Sequence, residues 1–398
     1  MRAPKILCLT QHDLDGPETG AALRARNVFK LLARLGEVRV ALASFHQSPG
    51  AHPNGTCGGF ELLRALRFQR TPRISLAARL RHQLDPRFMN LNWIEAQAED
   101  RAWLEQAVAE HDLVWVHSLD LANYFGRWHW PRAVLDIDDI PSEYSRSRQR
   151  VASGLGEKIH WARDAAVCRR HEKMIRERFE AVCVCSETDQ QVLGWPEKTF
   201  VVPNGFEPSP VEIVRTPGRP PRLGFIGNIG YEPNREGAWW FVKNVWPLIR
   251  KKNPDARLRV AGAEGEQQNW PAGQGIEALG RVADVAGEMA TWNLTVVPIH
   301  IGGGTRVKMA EAFSRRCPVV ATPLGAYGYA VADGRDLFIA DAPVDFADKC
   351  LRLLDDDALG RTLAESAWQK FLKQWTWEAQ AGRVAAAANH VLKQSSAH

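Results

Sequence analysis

The sequence predicts a two-domain α/β protein built on parallel sheets, and three observations carry this. Short apolar runs of strand length alternate with longer amphipathic segments along the whole chain. The runs are apolar or β-branched nearly throughout, as in strands covered on both faces, and do not alternate apolar with polar. A stretch with five prolines, 207–221, divides the chain into halves that each carry their own runs. Proline removes hydrogen-bond donors and favours extended chain, so this stretch reads as a stiff linker.

In the first half, strands are expected at 6–10, 38–43, 113–117, 133–137, 181–185 and 200–203. Helical patterns lie at 19–35, 95–111 and 142–179, the last a mixed-charge helix pair. In the second half, strands are expected at 223–227, 258–262, 294–298, 319–322 and 337–340, and helices at 234–252, 305–315 and 344–354. Beyond 355 the chain turns helical, with an aromatic-rich stretch (Trp368, Phe371, Leu372, Trp375, Trp377) before an Ala-rich helix over 378–393. The expected domains are 1–206, the linker 207–221, 222–374 and a terminal helix 375–398.

The chain has 398 residues, 45% hydrophobic and 24% charged, which excludes a disordered chain, a collagen and a low-complexity array. Its net charge of +5 is milder than a nucleic-acid-binding domain usually carries. The seven cysteines include no CxxC pair and no zinc spacing, and they read as reduced thiols of a cytosolic protein. The first apolar run is too short for a signal peptide, and no window approaches the roughly 18 apolar residues of a membrane span.

The charge is concentrated in one place. Residues 61–90 hold seven arginines against Glu61 and Asp85, which equals the net charge of the whole chain. Leu76, Leu80, Leu84 and Phe88 recur every four residues among them, so the segment reads as a basic amphipathic helix. Such a helix either lies on an anionic membrane surface or packs on the body through its leucines.

The strongest local signal runs from Pro298 to Ala312. A strand ends before Gly302, Gly303 and Gly304, and a helix is expected to begin at Thr305. Glycine lets backbone approach a ligand, and a helix N-terminus offers unpaired N–H groups and partial positive charge. Together these suit phosphate, with Arg306 and Lys308 adding charge. Glu311, further along the helix, is placed to accept hydrogen bonds from ribose hydroxyls. Three other turns are candidates: 224–231 with Gly227 and Asn228, 15–20 with Gly16 and Gly20, and 203–205. The 224–231 spacing is not GxGxxG, so a dinucleotide fingerprint fits poorly.

Taken in order, Phe225-Ile226-Gly227-Asn228-Ile229-Gly230-Tyr231-Glu232-Pro233-Asn234, the 302–312 segment and Pro318-Val319-Val320-Ala321-Thr322-Pro323-Leu324-Gly325-Ala326 resemble bacterial glycosyltransferases of family 4. Val202-Pro203-Asn204-Gly205 and Leu279-Gly280-Arg281-Val282-Ala283-Asp284 fit as well. The resemblance is specific over 200–330 and weaker before. It implies the GT-B fold, two facing Rossmann-like domains with the terminal helix crossing back to the first. It also implies a nucleotide-diphosphate-sugar donor, retention of anomeric configuration and no bound catalytic metal. By the same resemblance Gly303, Gly304 and Thr305 meet the diphosphate, and Arg306 and Lys308 offset its charge. Glu311 binds ribose, Arg281 and Val282 border the base, and Gly16, Gly20, Gly227 and Asn228 complete the donor site.

Two departures stand out. The family often places a second Glu eight residues before the ribose Glu, where this chain has Gly303. Many members also carry Arg and Lys in the first loop of the second domain, where this chain has Asn228 and, later, Arg235. In the first half, a histidine at a central strand end often touches the donor sugar. His117 is one candidate and the 135–139 strand end, with Asp138 and Asp139, the other; either group could orient sugar hydroxyls or take the acceptor's proton. Asp136-Ile137-Asp138 also spells DxD, a metal motif of a different glycosyltransferase fold, which the rest of the chain disfavours.

The expected activity is therefore retaining glycosyl transfer to a glycan or lipid-linked acceptor in bacterial cell-surface or exopolysaccharide synthesis. The expected place is the cytoplasm, including the inner face of the membrane through 61–90. Nucleic acid is not an expected partner. The same motifs fit a nucleotide-sugar 2-epimerase or a non-catalytic subunit of a glycan-assembly complex.

Overall fold

A computed structural model describes residues 2–16, 19–43, 55–71, 73–90, 92–209 and 214–395. Pro17 and Glu18 of the first glycine turn, Pro72, residues 210–213 of the proline-rich stretch and 396–398 lie outside the described residues. The chain forms two compact units, Met1–Pro203 with Gln380–His398, and Asn204–Ala379.

The first unit holds an eight-stranded sheet. Its spatial order is Thr199–Val201, Ala181–Val184, Ala133–Ile137, Leu113–His117, Lys5–Thr10, Glu37–Ala43, Phe60–Leu66 and Thr56–Cys57. All neighbours are parallel except the last pair, a short antiparallel hairpin. Leu113–His117 and Ala133–Ile137 are buried at every residue, which is why they read as unbroken apolar runs. Two helices, Pro141–Val151 and Leu155–Arg178, form the helix pair expected over 142–179. The last helix, Trp377–Ser395, buries Val384, Ala387, Ala388 and Val391, and its Arg383 donates to the Val201 carbonyl at 3.1 Å.

The second unit holds six parallel strands in the order Ile276–Gly280, Arg257–Ala261, Arg222–Ile226, Leu294–Val297, Val319–Ala321 and Phe338–Ile339. Gly224 of this sheet serves packing, since a Cβ there would lie 1.9 Å from the buried Trp292 ring. The helical stretch expected at 234–252 is broken by a π-turn, Phe241–Val245, between Glu232–Trp240 and Trp246–Lys252. Pro247 explains it: a proline inside a helix has no N–H for the preceding turn, and a widened turn absorbs the mismatch. Past the undescribed 210–213, the proline-rich stretch is pinned to this unit. Thr216 N–H donates to the Ala290 carbonyl at 2.9 Å and Gly218 N–H to the Thr291 carbonyl at 2.8 Å.

The basic segment 61–90 departs most from expectation. It is not one helix. Phe60–Leu66 and Phe68–Arg70 are strands, and only Leu76–Leu84 is helical. Phe60–Leu66 pairs in parallel with Glu37–Ala43 but buries only Leu66, so its sequence lacks the apolar alternation that marks a strand. Two of its arginines are neutralised locally: Arg64 donates to Asp100 at 2.6 Å and Arg67 to Glu99 at 2.9 Å. The short helix does not pack through its leucines either. Leu76, Leu80 and Leu84 are 75%, 52% and 69% exposed.

Candidate functional site

In the second unit, neighbouring parallel strands deliver their carboxyl-end loops to one edge of the sheet, where ligands of open α/β sheets bind. Arg222–Ile226 leads into Gly227, Arg257–Ala261 into Gly262, and Leu294–Val297 into 298–306. A Cβ on Gly262 would lie 2.1 Å from the Gly227 carbonyl oxygen, so these loops meet backbone to backbone. Lys308 reaches the same place. Its Nζ donates to Asn234 Oδ1 at 2.7 Å and lies 4.3 Å over the Phe225 ring. A Cβ on Gly227 would stand 3.0 Å from that Nζ. Asn234 Nδ2 donates in turn to the Asn228 carbonyl at 2.8 Å, and Gly230 N–H donates to Asn228 Oδ1 at 2.9 Å. Asn228 is thus part of the loop's own bracing.

Arg306 stands beside this group. Its Nη1 donates to the Gly303 carbonyl at 2.5 Å, while Nε and Nη2 are buried and make no hydrogen bond. Tyr329 Oη donates to its carbonyl at 2.8 Å and fixes its backbone. Gly304 adopts φ +61°, a conformation glycine takes without strain. Thr305 is buried, and its Oγ1 accepts from Asn204 Nδ2 at 3.0 Å. The helix begins two residues later than expected, as Val307–Ser314, because Arg306 remains extended at φ −91°, ψ 105° and serves as a cap with no side-chain bond. The first-turn N–H groups and the partial positive charge of the helix therefore lie beside both cations.

Two cations in a half-buried place carry an electrostatic cost. Burial lowers the Lys308 pKa, Arg306 lowers it further and Glu311 opposes them in part, leaving it at about 7. Such a lysine gains from an anion that arrives with negative charge. The arrangement thus predicts a pH dependence. For an anion that does not itself titrate near neutrality, affinity at this place should track Lys308: constant below about pH 7 and weakening above it, toward ten-fold per pH unit. Lys308→Arg, charged throughout, should flatten that profile; calorimetric titration from pH 6 to 9 reads it.

Of the other donor-side residues expected from the sequence, Glu311 is half-buried one turn beyond Val307. Arg281, exposed, and Val282, half-buried, follow the outermost strand Ile276–Gly280. Sequence reasoning missed Asn204 and Asn234 as positioning groups, although both stand inside the quoted motifs.

The first unit gathers a second set at the carboxyl ends of three adjacent strands, Ala133–Ile137, Leu113–His117 and Lys5–Thr10. Arg24, from helix Gly20–Leu32, is completely buried. Its Nη2 bonds Asp136 at 2.5 Å, its Nε lies 3.1 Å from both Asp136 oxygens, and its Nη1 donates to the Val202 carbonyl at 2.8 Å. His117 Nδ1 lies 3.5 Å from Asp136 and 3.7 Å from Asp138, and the His12 ring stands 5.5 Å from the His117 ring. Neither ring nitrogen of His117 makes a hydrogen bond, nor does Asp138 Oδ1.

These neighbours push one another's charges apart. Burial alone would raise the Asp136 pKa, but Arg24 and His117 overcome it and hold it at about 2. Burial, aided by Asp136, raises Asp138 against the pull of His117 and Arg24. Burial would lower His117, yet Asp138 and Asp136 hold it above the ordinary histidine value. Burial and the charge of His117 lower His12 to about 4. Asp136, ionised at neutral pH, thus stands beside the His117–Asp138 pair, both of whose pKa values are raised.

The structure brings His117 and Asp138 together; Asp139 follows Asp138 in the same turn. Gly20 is the first residue of its helix, behind the Thr19 cap, and Gly16 N–H donates to the Asp13 carbonyl at 3.3 Å. Asp136 is committed to Arg24, which removes one of the two DxD oxygen donors. Among the described residues, Asp13, Asp15 and Cys57 form the one close set of metal-type ligands. There Asp15 already accepts from Gly58 N–H at 2.9 Å, and burial pushes the Cys57 thiol up to about 11.

Residues 220–356 match the family described as "Glycosyl transferases group 1". An uncharacterized 44.6 kDa protein in the cps region of Klebsiella pneumoniae is 24% identical over 227 residues, 54% of this chain; the match spans 57% of that relative's length. Among solved structures, HepE of Anabaena in complex with UDP and glucose is 16% identical, covering 97% of this chain and 99% of its own, with a TM-score of 0.63. Sucrose-phosphate synthase of Thermosynechococcus elongatus is also 16% identical, covering 98% and 100%, with a TM-score of 0.67. At these identities the structural likenesses establish the fold over the full chain. Residues 220–356 thus resemble the group 1 glycosyltransferases, and the chain has the GT-B fold.

Proposed function

We propose that this protein is a retaining glycosyltransferase that takes a sugar from a nucleotide-diphosphate-sugar and passes it to a glycan or lipid-linked acceptor in cell-surface or exopolysaccharide synthesis. One observation carries the reading. Arg306, Lys308 and the start of helix Val307–Ser314 converge beside Gly227 and the glycine triplet, with two Arg306 nitrogens buried and unbonded. That is a receptacle for a compact polyanion. The complex of HepE with UDP and glucose and the cps-region relative support the donor class and the pathway.

In this reading the cations and the helix N-terminus stabilise the diphosphate as it leaves, which is the main demand of front-face transfer. Thr305 is held for the diphosphate by Asn204, and Glu311 takes the ribose. Arg281 and the Val282 backbone border the base. The His117–Asp138 pair orients sugar hydroxyls or takes the acceptor proton. Charge neutralisation by Arg306 and Lys308 makes a bound metal unnecessary, so activity should survive chelation. The proposed setting is the cytoplasm.

The test follows nucleotide sugars by NMR with and without a glycan acceptor. Transfer that needs the acceptor and keeps the anomeric configuration supports the reading. Free nucleotide and an altered sugar formed without acceptor would assign the site to a 2-epimerase.

A further inference from the structure

Lys308 is held differently from two other half-buried lysines of the second unit. Lys349 Nζ lies 3.2 Å from Asp333 and 3.3 Å from Asp345, and Lys370 Nζ lies 2.6 Å from Asp336. Those amines are tied to carboxylates. Lys308 Nζ instead donates to the neutral Asn234 Oδ1 at 2.7 Å and rests over the Phe225 ring. The amide is kept this way round because Asn234 Nδ2 donates to the Asn228 carbonyl at 2.8 Å. An amide oxygen accepts from a free amine as well as from an ammonium. Lys308 can therefore lose its proton and keep its partner, and the lone pair so uncovered is one that Asn234 does not engage. Burial and the charge of Arg306 favour that loss, with Glu311 opposing them. A lysine held near pH 7 in this way is a nucleophile at neutrality, whereas an ordinary lysine is free in fewer than about one molecule in a thousand.

The surroundings select the electrophile. A Cβ on Gly227 would stand 3.0 Å from Lys308 Nζ, and a Cβ on Gly302 2.7 Å from Arg306 Nη2. Each cation thus lies against a glycine that puts no side chain over it, and helix Val307–Ser314 starts between the two residues. An acyl phosphate has both halves that this arrangement accepts. Its phosphate suits Arg306 and the first-turn N–H groups. Its carbonyl carbon is one oxygen atom away from the phosphorus, so a phosphate held there presents that carbon to the neighbouring amine.

We propose that Lys308 is a site of acylation by acyl phosphates, and that the modification closes the anion place. Nζ attacks the carbonyl carbon as the free amine. A C–N bond forms, and the C–O bond to phosphate breaks with its electron pair going to the phosphate. The surplus proton of the amine passes to that phosphate, so acetyl phosphate gives Nζ-acetyl-lysine and hydrogen phosphate. Arg306 and the helix N-terminus hold the charge of the leaving group. The product amide is uncharged, which leaves an incoming polyanion with one cation of the two. The inference rests on the anion place of the proposed function and not on sugar transfer.

The test incubates the full chain with acetyl phosphate at about pH 7.5 and ranks the acetylated lysines at early times by peptide mass spectrometry. Lys308 should react at least about ten-fold faster than the exposed Lys158 and Lys251. Inorganic pyrophosphate should slow the reaction at Lys308 and leave the other two unchanged. Phenyl acetate, an acyl donor without phosphate, should favour Lys308 less. Arg306→Gln, checked for folding by its melting temperature, should lose most of the preference seen with acetyl phosphate. The acetylated protein should bind pyrophosphate about ten-fold more weakly by calorimetry. Reaction at Lys308 no faster than at the exposed lysines, or a rate that pyrophosphate leaves unchanged, overturns the proposal. So does an equal preference with phenyl acetate, since amine reactivity alone would then select the site. If Lys308 does not react preferentially while nucleotide sugars still raise the melting temperature of wild type more than that of Lys308→Ala, acylation falls and the donor reading stands. The opposite pair of results sinks the donor reading alone.

Discussion

Replacing Lys308 with Ala lowers kcat/KM for sugar transfer by about ten- to a hundred-fold, and Arg306→Ala does the same. The size follows from one lost charge-assisted contact of roughly 1.5–3 kcal/mol to a diphosphate whose charge grows as the sugar departs. Lys308 also bonds Asn234 and covers Phe225, so the variant loses local bracing as well as charge. Lys308→Arg separates the two, because it restores charge in an altered shape. If the Ala variants turn over like wild type, the diphosphate does not sit beside these groups.

Replacing Arg24 with Met destabilises the first unit by about 3–5 kcal/mol, the usual cost of leaving a buried charge without its partner. Asp136 has no exposed surface, and three Arg24 nitrogens serve it or the Val202 carbonyl. The double variant Arg24→Met, Asp136→Leu should recover most of the loss, since no unpaired charge then remains. Urea unfolding of all three proteins reads the coupling. The sign with pH follows from the depressed Asp136 pKa. Its stabilisation is present above its ordinary value of 3.8 and is lost as pH falls toward 2. A single Arg24→Met variant as stable as wild type would mean that Asp136 is satisfied by something other than Arg24.

The legible parts of the fold were those written locally. Residues 113–117 and 133–137 are covered on both faces, so their apolar runs announced parallel strands. The clustering of Arg306 and Lys308 with the glycine triplet was legible because loop, cations and helix start are consecutive. What escaped is nonlocal. Arg24 meets Asp136 across 112 positions, and nothing near Arg24 distinguishes it from a surface arginine. Asn204 and Thr305 are 101 positions apart. Phe60–Leu66 was hidden because a sparsely buried strand carries no apolar period, and its spaced arginines matched a helical face instead.

The most direct test of the central claim, that the second domain holds a nucleotide-diphosphate-sugar against Lys308 and Arg306, is a thermal-shift panel. Wild type and Lys308→Ala would be heated with UDP, GDP, dTDP, ADP and CMP sugars, since a ligand that binds only the folded state raises the melting temperature with its affinity. The account predicts that at least one nucleotide-diphosphate-sugar raises the midpoint of wild type and raises that of Lys308→Ala clearly less. No shift with any of them, or an equal shift in both proteins, would contradict it.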